Sequence, residues 1–434
     1  MQVFVHAESF TPRLTYALKL VLGNLLGHEP ICIADQTRFE RAEGIKINYT
    51  GRLIEGALQV VPHTLLFEEG TGASMPEVNH WSGIPVLFSR HAPSNLPFDP
   101  FAAAFWMAAR YEEYQPFTPD RHGRFCSSQS LAHRHGFLDI PVVHIWAAKL
   151  ADALAQKFPG FEPRYGSFTY LPTIDVDLAY TYLHRGWIRT SAAVTRDLLQ
   201  GRFDRLRERR QVVQGRMKDP YDQYEALMGL HNAHKLNPTW FFLAGSYGRY
   251  DPNINTGNPG FVSLIKSIGS ACEIGMHPSY GSGSSQKRLK EEKAGLEAIL
   301  GKPVRRSRQH FLKLSFPLTY QNLVACGIEE DYSMGFNDQP GFRAGLCKPY
   351  PWFDLSANRV MPLTVFPFQA MDVTLAQYLR LPAREALDTC IKLVAKTKEV
   401  HGTFSTIWHN QPSDPYTTSE WFELYWQLIH YICT

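Results

Sequence analysis

Asp175 and Asp177 stand two residues apart in the string Thr173-Ile174-Asp175-Val176-Asp177. On an extended strand that spacing turns both side chains to one face. Two carboxylates side by side repel, so a protein that keeps them places a cation between them or leaves a proton on one. Such a pair can divide labour, one carboxylate ligating a metal while the other takes a proton from water. An N-cap aspartate next to a surface ion pair fits the same spacing, and that alternative stays open.

Three histidines extend the argument. His277 precedes Pro278-Ser279-Tyr280-Gly281, a turn sequence that would hold it in place. His310 lies two residues past Arg308, and His409 sits between Trp408 and Asn410. A lone histidine is more often structural than a ligand. An aspartate with two histidines, however, is a common set for a catalytic Zn²⁺ that keeps positions open for water. A divalent ion there would lower the pKa of its water toward about 7 and polarise a carbonyl, which suggests hydrolysis.

The elements that must position these residues follow from periodicity. After about Pro163 short apolar runs recur between helical segments, with strand ends expected near Asp175, Leu243, Met276, Arg308, Asp331, Phe368 and Trp408. The clearest helix runs from Gln286 to Leu300, with Leu289, Leu296, Ile299 and Leu300 on one face and Gly301 then Pro303 as its stop. This alternation predicts a parallel sheet, open or closed into a barrel. Asp175, His277, Arg308, Asp331, Asp372 and His409 each fall at or just past a strand's C-terminal end, the face where a parallel α/β barrel builds its site. Residues 1–163, with strand-like Val3-Phe4-Val5 and helical stretches near Leu14 to Leu25 and Ile145 to Phe158, read as a smaller α/β domain ahead of a barrel over 164–434.

Composition bounds the rest. The chain has 434 residues, 44% of them hydrophobic, and a formal net charge of +3, which argues against a dedicated nucleic-acid binder. Its main basic run, Arg202 to Arg216, also carries Asp204 and Glu208 and reads as a solvated helix. No window approaches the roughly 20 apolar residues of a membrane span, so no membrane partner is expected. The first 26 residues lack the pattern of a signal peptide, and the 7 cysteines are scattered without a C-x-x-C pair, so a reduced, cytoplasmic setting is expected.

From about Phe168 to His409 the chain resembles the polysaccharide deacetylases, the family-four carbohydrate esterases, whose fold is a distorted (β/α) barrel. The resemblance makes Asp175 the catalytic base and Asp177 a metal ligand. Glu273-Ile274-Gly275-Met276-His277-Pro278-Ser279 resembles the second motif, with His277 as ligand. Arg308 falls where an arginine steadies the base, Asp331 resembles the next acidic motif, and Ile407-Trp408-His409 the last, whose histidine is the general acid. Pro238 to Leu243, Ser307 to Phe311 and Glu330 to Phe336 resemble a bacterial branch with an uncharacterised N-terminal domain, as do Thr11 to Leu14, Arg110 to Tyr114 and Asp120 to Phe125.

One position departs from the pattern. The family's second motif carries another histidine four residues after the first, and here that place is Gly281. Either His310 supplies the third ligand, or Asp177, His277 and water hold the ion, or no metal binds. The expected function is removal of N- or O-acetyl groups from a carbohydrate with a divalent metal, taken as Zn²⁺. The oxyanion would be helped by a backbone N–H near Tyr280 or Tyr320. The alternatives are a non-catalytic carbohydrate-binding protein on a degenerate barrel and a metal-dependent amidohydrolase acting on a non-sugar bond. Trp240, Trp352, Trp408 and Tyr280 could stack on a sugar ring or simply pack the core. The charged residues Arg110, Glu112, Glu113, Asp120, Arg121, His122 and Arg124 read as structural ion pairs or, alternatively, as a patch facing the barrel mouth. Sequence leaves the oligomeric state unassigned.

Overall fold

The computed structural model describes residues 2–72, 74–90, 93–411 and 418–434. Its second half is built on one nine-stranded sheet. The strands are β7 (Thr169–Val176), β8 (Thr239–Leu243), β9 (Glu273–His277), β10 (Arg306–Ser307), β11 (Glu330–Met334), β12 (Tyr350–Asp354), β13 (Arg359–Pro367), β14 (Ala370–Met371) and β15 (Thr403–His409). Their spatial order is β12-β13-β11-β10-β9-β8-β7-β15-β14. From β7 to β11 the chain steps steadily across the sheet, and every ladder is parallel except β12 against β13. The end strands β12 and β14 are not paired with each other, so hydrogen bonding stops short of a closed barrel.

Central strands of a parallel sheet are covered on both faces and read as continuous apolar runs. β8, Thr-Trp-Phe-Phe-Leu, is buried at all five positions. The helix expected between β9 and β10 spans Gln286–Leu300, begins at Ser285 and ends at Gly301, whose φ of +67° is the left-handed cap that glycine adopts without strain.

Apart from an antiparallel hairpin of β5 (Val78–Trp81) and β6 (Ile84–Leu87), the first half carries its own parallel sheet of β1 (Val3–His6), β2 (Pro30–Ile33), β3 (Ile45–Asn48) and β4 (Leu58–Gln59), in the order β2-β1-β3-β4. Beside it lies α1 (Pro100–Ala108), buried at every position. Its proline start and the Asp99 carboxylate, which accepts the Phe101 and Ala102 N–H groups, fix where it begins. The two sheets are separate, yet one apolar core runs from Val3 to Ile432 through both halves. A buried ion cluster also joins them: Arg110 contacts Glu112 and Glu113 at 2.7 Å each, and the Arg343 guanidinium clasps Glu113. Removing one member of such a cluster costs about 3–5 kcal/mol, because its partner is left buried and unpaired. Among the described residues no helix is long and apolar enough to cross a membrane.

Candidate active site

At the C-terminal end of the large sheet lies a cleft of about 580 Å³, lined by Asp175, Asp177, His277, His310 and His409 among others. Strand register explains their convergence. Asp175 pairs with His409 across the β7–β15 ladder, and His277 closes β9, two strands away. Asp177 follows the last residue of β7. His310 comes from the turn after β10, where Phe311 and Leu312 take φ of +59° and +51°, unusual for residues with side chains. Strain of this kind persists only where surrounding contacts hold it, and here it sets the course of the chain beside His310.

Asp177 is the hub. Its Oδ1 lies 3.0 Å from Nε2 of His277 and 3.7 Å from Nε2 of His310, while its Oδ2 lies 3.7 Å from Nε2 of His409. Each of these rings has its other nitrogen occupied. Nδ1 of His277 is 2.6 Å from the Arg308 carbonyl, Nδ1 of His310 is 2.9 Å from Asp251, and Nδ1 of His409 is 2.6 Å from Asp372. A carbonyl or carboxylate oxygen only accepts, so each Nδ1 carries the proton. In the neutral ring Nε2 is then a lone pair turned toward a carboxylate.

Acceptors facing one another need a positive charge between them. Among the described residues, Oδ1 of Asp175 is buried without a hydrogen-bond donor, and Oδ1 of Asp177 is buried with the Nε2 of His277 3.0 Å away. One ligand atom each from Asp177, His277 and His310 lie within 4.8 Å of one another. One carboxylate and two imidazoles, oriented by partners on their far nitrogens, are a donor set suited to a divalent cation.

Electrostatics follow the same geometry. Burial alone would raise the Asp177 pKa, but His310, His277 and His409 hold it well below the ordinary carboxylate range. Burial works against a charge on His409, yet Asp372 and then Asp177 and Asp175 push its pKa up to about 10. His277 is raised for a similar reason, Asp175 and Asp177 outweighing its burial.

Arg308 and Asp331 stand behind the cleft rather than in it. Arg308 is fully buried, donates to Thr173 at 2.7 Å, and places Nη1 3.7 Å from Oδ1 of Asp175. Its guanidinium lies over the Phe241 ring at 4.8 Å and the Phe368 ring at 5.7 Å. Asp331 accepts from the Tyr320 hydroxyl and from both the N–H and the hydroxyl of Ser333, and does not line the cleft. Burial pushes its pKa up to about 6 in spite of those donors.

Other expectations need correction. Trp240, Trp352 and Trp408 are buried at 0%, 1% and 5% exposure and pack the core, so none offers a face to a sugar. The Tyr280 N–H already donates to Asp251 at 2.9 Å, and Tyr320 lies buried in the helix Leu318–Ala325 and does not line the cleft. Gly281 does not line the cleft, and a Cβ there would meet Nη1 of Arg288 at 2.7 Å. The charged patch of the first half splits in two. Arg110, Glu112 and Glu113 form the buried cluster, whereas Arg121 and Arg124 line the cleft, with Arg124 held by Asp120 and the Phe311 carbonyl. Asp251 went unread in the sequence; its only signal is its place between the end of β8 and Pro252.

A family model described as "Family of unknown function (DUF7033)" matches residues 1–159. No curated protein matches the chain. Among solved structures, a protein described as a "putative polysaccharide deacetylase from Mycobacterium smegmatis" aligns at 15% identity and a TM-score of 0.41, covering 63% of this chain and 86% of that one. A polysaccharide deacetylase from Bacillus cereus aligns at 11% identity and a TM-score of 0.30, covering 61% and 88%. A CE4-family pseudoenzyme from Bacillus anthracis aligns at 11% identity and a TM-score of 0.28, covering 61% and 63%.

Proposed function

We propose that the protein is a metal-dependent hydrolase that removes N- or O-acetyl groups from a carbohydrate. The observation that carries this reading is the inward set of Nε2 atoms around Asp177, each ring fixed by an acceptor on Nδ1. Asp177, His277 and His310 would hold the ion, which we take to be Zn²⁺. Bound there, it would lower the pKa of a water toward about 7 and polarise the acetyl carbonyl.

The chain's own groups supply the proton transfers. Asp175, whose Oδ1 has no hydrogen-bond donor among the described residues, is the base that takes the proton of the attacking water. Arg308, with Nη1 3.7 Å from Oδ1 of Asp175, orients that carboxylate from behind, and Asp331, which acts on the same guanidinium through its charge, is a positioning residue. His409, held protonated by Asp372, gives its Nε2 proton to the departing amine or alkoxide. Phe311, Leu312, Met371 and Val373 on the cleft wall suit the acetyl methyl and the apolar face of a sugar.

His310 stands where a degenerate, metal-free cleft would have no use for it, bonded to Asp251 and turned to Asp177. The test combines metal content with hydrolysis of acetylated chito-oligosaccharides. Asp175→Asn is expected to lower kcat by about 10²–10⁴-fold with metal retained, and His277→Ala to lose metal and turnover together. Full activity after exhaustive chelation would overturn the reading.

A further inference from the structure

A second cavity, of about 290 Å³, lies between α2 (Trp187–Leu199), α3 (Phe203–Val213) and the loop that follows β7, and shares no lining residue with the cleft. Five arginines line it: Arg185, Arg196, Arg202, Arg205 and Arg209. Among the described residues the one carboxylate in the lining is Asp197, which already contacts Arg209 at 3.0 Å and Arg205 at 4.0 Å. Neighbouring acids are engaged elsewhere. Asp219 accepts the N–H groups of Thr181, Tyr182, Leu183 and Tyr221, and Glu208 accepts the Tyr182 hydroxyl. Arg185 donates to the Tyr180 carbonyl, while Arg196 and Arg202 have no acidic partner among the described residues.

Among the described residues two buried donors in this lining lack acceptors. The Arg209 side chain is 8% exposed and its Nε has no partner; Oγ1 of Thr181 is likewise buried and unpaired. Burial, together with crowding by Arg209 and Arg189, lowers the Arg185 pKa despite the nearby acids. Uncompensated guanidinium groups this close repel one another unless an anion joins them, and their planar forks match phosphate oxygens.

We propose that this cavity binds a phosphate-bearing group. The outer face of the same two helices shows where such a group could come from. Trp187 and Ile188 are 78% and 66% exposed, and Leu198 and Leu199, three helical turns on, are 52% and 84% exposed. Phe203 on α3 adds a further apolar side chain at 67% exposure. A helix that turns its apolar stripe to solvent beside a cluster of arginines has the pattern of an interfacial helix on an anionic bilayer. A second copy of the chain would bring the same arginines and repel. The sequence reading of Arg202 to Arg216 as a solvated helix therefore describes one side of α3; Arg205 and Arg209 on the other side belong to the cavity.

The source of the phosphate is a lipid headgroup, and the experiment separates it from a free anion. Calorimetry with inorganic pyrophosphate and co-sedimentation with phosphatidylcholine vesicles, with and without phosphatidylglycerol, are run on the full chain and on variants. We expect sedimentation with the anionic vesicles alone, reduced by pyrophosphate. Arg196→Gln and Arg202→Gln, exposed positions without acidic partners, should each weaken both interactions about tenfold. Trp187→Ser with Leu199→Ser should abolish sedimentation and leave pyrophosphate binding intact. Binding of pyrophosphate without sedimentation would overturn the lipid source. Binding of neither, or binding that the arginine variants do not change, would overturn the site itself. Circular dichroism spectra and urea midpoints matching those of the parent show that the variants are folded.

Discussion

Asp251 and His310 meet at 2.9 Å between Oδ1 and Nδ1, and the same carboxylate oxygen also receives the Tyr280 N–H at 2.9 Å. The contact fixes both the tautomer and the tilt of a ring carried only by the short, irregular 3-10 turn His310–Leu312. Partners of this kind typically change metal affinity by about 10–100-fold. Asp251→Ala should therefore weaken zinc binding by that factor, with turnover restored by excess metal. Asp251→Asn keeps an oxygen acceptor without the charge and should fall between the two. A zinc titration against a chromogenic chelator reads both; equal affinities in all three proteins would remove His310 from the ligand set.

His409 and Asp372 make the counterpart contact at 2.6 Å, and Asp372 also receives the His409 backbone N–H at 3.0 Å. Burial alone would favour the neutral ring, yet the proton is held to about 10, with Asp372 the largest support. A cation on Asp177 would weaken the support from that side and leave Asp372 dominant. Replacing Asp372 with Asn removes its negative charge, so His409 should release its proton at lower pH. If His409 is the acid, the alkaline limb of kcat then moves to lower pH while the acidic limb stays. Steady-state rates across the pH range check this, and an unmoved alkaline limb would assign the acid elsewhere.

How legible this site was in the sequence depends on what each residue rests on. Asp175, His277 and His409 lie on strands whose apolar runs announce their ends, and parallel register then brings those ends together. Arg308 was readable for the same reason, although β10 spans only Arg306–Ser307. Asp251 was not, since it sits in irregular chain beyond β8 and gains its meaning only from the ring it touches. Arg121 and Arg124 were seen as charges, but their position in the cleft depends on contacts between segments nearly two hundred residues apart, such as Arg124 to the Phe311 carbonyl. The three tryptophans show the converse: ring type suggests stacking, and burial removes it.

Two histidines outside the site make a prediction about acid. Burial lowers the His144 pKa to about 3 and the His231 pKa to about 4. Nε2 of His144 accepts the Cys347 N–H at 3.2 Å, a role only the neutral ring can fill. In the unfolded chain both rings titrate near 6.5. Their contribution is therefore fully present above that pH. Below it the unfolded chain takes up protons that the folded chain refuses, so stability is lost toward pH 4 and then 3. The slope is about 1.4 kcal/mol per pH unit for each ring. Urea midpoints measured between about pH 7.5 and 5 should fall less steeply for His144→Gln or His231→Gln than for the parent. Identical slopes would count against neutral burial of these rings.

Gly275 and Phe241 are register partners on β9 and β8, and a Cβ on the glycine would meet Cε1 of the ring at 2.3 Å. Ordinarily alanine in place of glycine in a strand stabilises, by roughly 0.4–1 kcal/mol, because it restricts the unfolded chain. Here the ring fills the space above the glycine, and overpacking of this kind costs about 1–3 kcal/mol, so the clash outweighs the entropy. The same ring lies 4.8 Å from the Arg308 guanidinium, so displacing it also disturbs the group that faces Asp175. Gly275→Ala should thus lower the urea midpoint and kcat together while zinc affinity holds. Adding Phe241→Leu relieves the clash and should recover much of the stability. It cannot recover kcat, since the ring face under Arg308 is then gone. If kcat returns with stability, Phe241 only packs; if the two separate, the ring positions Arg308.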